Sequence, residues 1–97
     1  MPSAVLIFHE KLRYDDGAVL EMKLWQVAGP VRASGHLFKY SLFYGEAGRR
    51  VVGYHNEAGK GDHRHYGERE EAYIFTTPDR LVADFLADVG TLRGGRS

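Results

Sequence analysis

The chain has 97 residues, 43% hydrophobic and 12% aromatic, enough for one compact core and too few for a second domain of ordinary size. Its 13 basic and 13 acidic side chains cancel, which excludes the overall positive field behind non-specific nucleic-acid binding, so any affinity for RNA or DNA must come from a local patch. Cysteine is absent, which excludes disulfides, thiolate zinc sites and a cysteine nucleophile.

In chain order, the first apolar run, Ala4 to Phe8, is too short for a signal-peptide core or a membrane span and is followed at once by charged residues. A soluble, cytoplasmic protein is therefore expected. Ala4 to Tyr14 places Leu6, Phe8 and Leu12 on one face of an extended chain and runs into Asp15-Asp16-Gly17, a turn tripeptide that tolerates positive φ. Ala18 to Val27 alternates Ala18, Leu20, Met22 and Leu24 against Glu21 and Lys23, as the half-buried antiparallel partner should. A Gly/Pro/Ser loop leads to His36 to Tyr44, a third strand, which turns through residues 45–48 into a fourth, Arg49 to Asn56. After the polar stretch from Glu57 to Gly61, Ala72 to Phe75 is expected as a short fifth strand.

The C-terminal element has the clearest pattern. Thr77 can act as N-cap with Pro78 in the first helical turn, and Leu81, Val82, Phe85, Leu86, Val89 and Leu92 recur at helical spacing before Gly94 and Gly95. The expected architecture is an α+β domain spanning residues 1–97. It comprises a twisted antiparallel sheet of four to five strands, two hairpins plus a short strand, packed by one C-terminal amphipathic helix.

Chemistry concentrates in KGDHRHYGE, residues 60 to 68. In an extended chain His63 and His65 share one face and Asp62, Arg64 and Tyr66 the other. Neighbouring neutral imidazoles can bind zinc or another borderline metal if Glu68, Asp62 or His55 supplies a third ligand. They can instead serve as general acid and base, since the histidine pKa of about 6.5 lies near working pH. Lys60, Arg64 and Arg69 bracket them, and cations disfavour a divalent metal while favouring a phosphate.

Metal-free RNA cleavage needs a base for the 2′-hydroxyl, an acid for the leaving oxygen and cations for the growing charge. The segment offers His63 and His65 as catalytic pair, Lys60 and Arg64 as phosphate clamp, and Tyr66 or Glu68 as reserve proton carriers, with no cofactor. Tyr54, His55 and Asn56 lie upstream, where they could stack on or hydrogen-bond to a base. The bland alternative is a solvated polar loop. Trp25 and the aromatic series Phe38, Tyr40, Phe43 and Tyr44 are read mainly as sheet packing, with Tyr40 and Tyr44 as a lesser base-stacking alternative, Arg49-Arg50 as a solubilising hairpin end with phosphate contact as the lesser alternative, and His9 and His36 as structural.

The run RVVGYHNEAGKGDHRHYGEREEAYIFTTPDRLVADFLADV, residues 50–89, resembles the TumE family of small bacterial proteins. In that family a G-D-H-R-H or H-x-H core precedes an acidic segment, an aromatic strand and a closing helix with a D-F pair, here Asp84-Phe85. The likeness extends to the N-terminal hairpin with Trp25 and to the YSLFY strand. It implies the toxin component of a two-gene toxin–antitoxin module, with a small helix-turn-helix antitoxin as partner, and it carries His63 and His65 over as the functional positions. One departure is His55 before Asn56, where the family commonly has an aspartate, so His55 is either a substitute ligand or incidental.

Three readings follow: a metal-independent endoribonuclease toxin acting on RNA, a non-catalytic module that binds its antitoxin or forms a homodimer along a free sheet edge, and a metal-dependent hydrolase or nuclease with His63, His65 and Glu68 as ligands.

Overall fold

The computed structural model describes residues 4–30, 34–57 and 59–94. Six strands form one antiparallel meander in chain order: β1 (Ala4–Arg13), β2 (Val19–Val27), β3 (Phe38–Glu46), β4 (Arg49–Glu57), β5 (Gly61–Tyr66) and β6 (Arg69–Ala72). The helix α1 (Pro78–Leu92) follows. The α+β class, the two leading hairpins and the C-terminal helix are as the sequence predicts. The strand count is corrected from four to five to six. The expected fifth strand at Ala72–Phe75 is instead the end of β6 and an irregular stretch, while the H-x-H segment is itself β5.

The local cause is a two-residue turn. Gly67 takes φ 62 between the paired residues Tyr66 and Arg69, a conformation that costs glycine little, and folds the acidic run back onto β5. Charged edge strands of this kind resist pairing with other chains.

Alternation divides the sheet into two faces. Leu20, Leu24, Tyr40, Leu42, Tyr44, Val52 and Tyr54 point to one side, where Leu81, Phe85 and Val89 of α1 cover β3 and β4 and complete the core. The N-cap is as expected: the Thr77 hydroxyl accepts from the Arg80 N–H at 3.1 Å, with Pro78 beginning the helix. Leu86 and Leu92 of the predicted stripe stay exposed because one helix spans only the centre of the sheet. For the same reason β1 is left largely bare, with Val5 63% and Leu6 52% exposed.

Two irregularities matter. Register shifts between Leu6 and Phe8 in β1, and between Tyr44 and Gly45 opposite β4, where Val51 is the extra residue. The second bulge moves Arg50 from the helix side, where strict alternation with Val52 and Tyr54 would send it, to the opposite face beside Gly45. No helix among the described residues is long and apolar enough to cross a membrane.

Candidate functional site

Strand register builds the site on the face away from the helix. His55 of β4 is paired with His63 of β5, and Gly53 with His65, so three imidazoles meet over two adjacent strands. Their ring centroids are 4.0 Å apart for His55–His63, 4.8 Å for His55–His65 and 5.3 Å for His63–His65. The three can each offer a ligand atom within 4.8 Å of the others. In all three, Nε2 is buried and has no hydrogen-bond partner among the described residues. Buried polar atoms are ordinarily paired, so three orphans on neighbouring rings are a signal rather than packing noise.

In two of the three rings the other nitrogen has a partner of its own. His63 Nδ1 lies 3.1 Å from the Gly61 carbonyl and must carry a proton to donate there, so in the neutral tautomer Nε2 presents a lone pair. His55 Nδ1 lies 3.4 Å from Glu57 Oε1. Metal-ligating histidines characteristically spend the second nitrogen on a carbonyl or carboxylate.

A carboxylate lies beside two of the three rings, and it is not the expected one. Glu68 sits in the β5–β6 turn, whereas Glu70, paired across the strands with His65, brings Oε2 to 3.2 Å from both His63 Nε2 and His65 Nε2. These are ion-pair distances without the alignment of a hydrogen bond. Ligands at the usual zinc bond lengths stand about 3.3 Å apart in a tetrahedron, which the Glu70 separations match. The candidate ligands are therefore His55, His63 and His65, with Glu70 adjoining the last two.

Electrostatics favour neutral rings. Burial, and then the neighbouring His63 and His65, push the His55 imidazole down to about 4. Burial, and then the Arg50 guanidinium, lower His65, with Glu70 opposing. Glu70 is itself held below the usual carboxylate range, chiefly by its hydrogen bond from Lys60 Nζ at 3.3 Å. Rings that stay uncharged at neutral pH are suited to donating lone pairs and poorly suited to delivering a proton.

Of the expected phosphate clamp, Lys60 stands beside the site and Arg64 does not. Arg64 lies on the helix side, its Nε 2.7 Å from Glu71 Oε1 and its Nη1 3.2 Å from the Tyr54 hydroxyl, with the guanidinium over the Tyr54, Tyr66 and Tyr73 rings. Tyr54 and Tyr66 are likewise beneath the sheet, both donating to Asp88 of the helix, at 2.7 Å from Tyr66. Neither can stack on a base or carry a proton at the imidazoles. Asp62 accepts from Tyr40 at 2.6 Å and pairs with His36 at 2.7 Å on that same side. Asn56 is buried, its side chain bonded to the Tyr40 N–H and the Phe38 carbonyl where the β3–β4 ladder has stopped.

Sequence reasoning missed Glu70 and Arg50. The turn signal at Gly67 would have found the first, since a two-residue hairpin pairs His65 with Glu70. Arg50 crosses over Gly53, where a Cβ would lie only 2.9 Å from Arg50 Cδ, so a bare backbone lets this cation lie toward His65.

No curated protein and no solved structure matches the chain. The family described as Toxin TumE matches over residues 3–93, nearly the whole length, and the chain belongs to that family.

Proposed function

We propose that this toxin cleaves RNA in the cytoplasm with the aid of a divalent transition-metal ion held by His55, His63, His65 and Glu70. The observation carrying the reading is the convergence of three buried, unpartnered Nε2 atoms on one face of the sheet. A metal-free mechanism needs one imidazole protonated as the acid, and the surroundings hold His55 and His65 in the neutral form instead. An ion in this set would supply Lewis acidity toward a phosphoryl oxygen and lower the pKa of water. The protein's own contribution is to fix ring orientation through Gly61 and Glu57, to shield the donors from solvent, and to place Lys60 and Arg50 where they can neutralise phosphate charge.

The test is RNA cleavage by purified protein. Activity lost in EDTA, restored by zinc or manganese, and abolished in His55→Ala, His63→Ala and His65→Ala is expected. Undiminished cleavage in chelator refutes the metal, and wild-type growth arrest by all three alanine variants refutes catalysis.

That last outcome would leave the non-catalytic reading, which one observation favours. The β1 edge exposes Val5, Leu6 and Ile7 in sequence, an apolar edge of the kind that accepts a strand or helix from a partner. A helix-turn-helix antitoxin is the partner proposed, and a second copy of the chain is the alternative. Loss of antitoxin co-purification on Leu6→Lys would support that docking.

A further inference from the structure

We infer that the groove beside the histidines seats one nucleotide of single-stranded RNA, its base against Trp25 and Phe43 and its phosphate between Arg50, Lys39 and His55. This rests on the reading above that the site acts on RNA. The groove has a volume of about 290 Å³, at the low end of small-molecule sites and suited to one nucleotide rather than a duplex. It is lined by Trp25, Lys39, Ser41, Phe43, Arg50 and His55, and through His55 it opens directly onto the imidazole cluster.

Its position follows from register. Trp25 is paired with Lys39, Ser41 with His55, and Phe43 with Gly53, all on the face that the helix leaves uncovered. Gly53 keeps the floor low. The Phe43 ring leans over Gly45, where a Cβ would meet its Cζ at 2.7 Å.

Two features point to a nucleotide. Neither Trp25 nor Phe43 makes a ring contact with another aromatic side chain among the described residues, although Tyr40, Tyr54 and Tyr73 on the other face do. Unpaired aromatic faces on an open sheet are the stacking platforms that single-stranded RNA uses, because every base has a π-face. Lys39 and Arg50 make no ion pair among the described residues, and they outnumber the groove's single carboxylate, Glu57, which sits 3.4 Å from the neutral His55 ring. The rim is thus locally cationic in a chain of zero net charge.

Trp25 is the only tryptophan, so its fluorescence reports on this groove alone. The experiment titrates chelator-treated protein, in which turnover is stopped, with a hexauridylate single strand and with an RNA duplex of equal length. Saturable quenching by the single strand is expected, weakened by added salt and at least about five-fold weaker in Phe43→Leu and in Arg50→Gln. Trp25→Leu should lose a similar factor in the anisotropy of labelled RNA. Unchanged thermal midpoints separate these effects from misfolding. No quenching, unchanged affinity in all three variants, or tighter binding of the duplex overturns the inference. Quenching without cleavage under any metal condition upholds the groove and refutes the ribonuclease reading. Cleavage without quenching does the reverse.

Discussion

His55→Leu should stabilise the metal-free protein while destroying metal binding. The His55 Nε2 is buried without a partner, and such an atom costs roughly 1–3 kcal/mol. Leucine is of similar bulk, suits the half-buried face of a strand, and can keep van der Waals contact with the His63 and His65 rings; the polar contact it gives up, 3.4 Å to exposed Glu57, is worth little at the surface. A gain of about 1–2 kcal/mol in chelator is expected, or about 5–15 °C in Tm for a domain this size. With zinc at a hundred times its Kd, the order reverses. The wild type gains about 2.7 kcal/mol by mass action, roughly 10–20 °C, and the variant gains almost nothing. Differential scanning calorimetry of both proteins in EDTA and in excess zinc measures all four values. A variant less stable than wild type in EDTA that still shows the full zinc shift would refute the reasoning, because the orphaned nitrogen would then be neither strained nor a ligand.

In chelator, stability should fall as pH drops from about 6.5 to about 4: His55 has its folded pKa lowered to about 4, so the unfolded chain binds the proton first and stability present above the unfolded value is lost on acidification. Urea midpoints at pH 7 and pH 5 check this, and a flat profile contradicts it. Arg64→Ala should destabilise by about 1–3 kcal/mol, by stripping Glu71 and the tyrosine rings of their cation, yet leave cleavage per folded molecule intact. Arg50→Ala should show the opposite pattern, assayed by the same melts and turnover rates. Ala47 stands at φ 52 beside Gly48 in the β3–β4 turn, so Ala47→Asn should gain about 0.5 kcal/mol in a denaturant titration. Asp88→Ala should cost about 2–4 kcal/mol, since the buried hydroxyls of Tyr54 and Tyr66 both lose their acceptor, while zinc affinity of the folded protein stays the same by calorimetric titration.

Most of the scaffold is legible where apolar residues alternate or recur. Leu20, Met22 and Leu24 mark β2, and Leu81, Phe85 and Val89 mark the buried side of α1. β6 carries no such mark, because Arg69-Glu70-Glu71 is polar on both faces and only the preceding glycine turn betrays a strand. The shared direction of His63 and His65 follows from alternation alone, and so does the opposite direction of Arg64. Nearness in sequence is not nearness on a strand face, which is why Arg64 belongs to the tyrosines beneath. Arg50 is the harder case. Its place at the site depends on the Val51 bulge, and a bulge depends on how two strands pair rather than on either strand's composition.

The two faces of this thin sheet divide the work. On the covered side four tyrosine hydroxyls have carboxylate partners: Tyr40 with Asp62, Tyr54 and Tyr66 with Asp88, Tyr73 with Asp84. Those bonds pin β3, β4 and β5 to one another and to the helix. On the other side, the same backbone ladder holds three imidazoles whose inner nitrogens are satisfied by nothing described in the fold. A sequence selected for stability alone would have filled β4 and β5 with apolar residues on both faces. The unsatisfied cluster is tolerable because the satisfied network lies one strand-thickness away, so the histidines ride on strands that cannot easily shift. Local polar frustration on a rigid platform is the arrangement expected of a preorganised site, and it favours the sheet's bare face over the helix side as the place for the proposed chemistry.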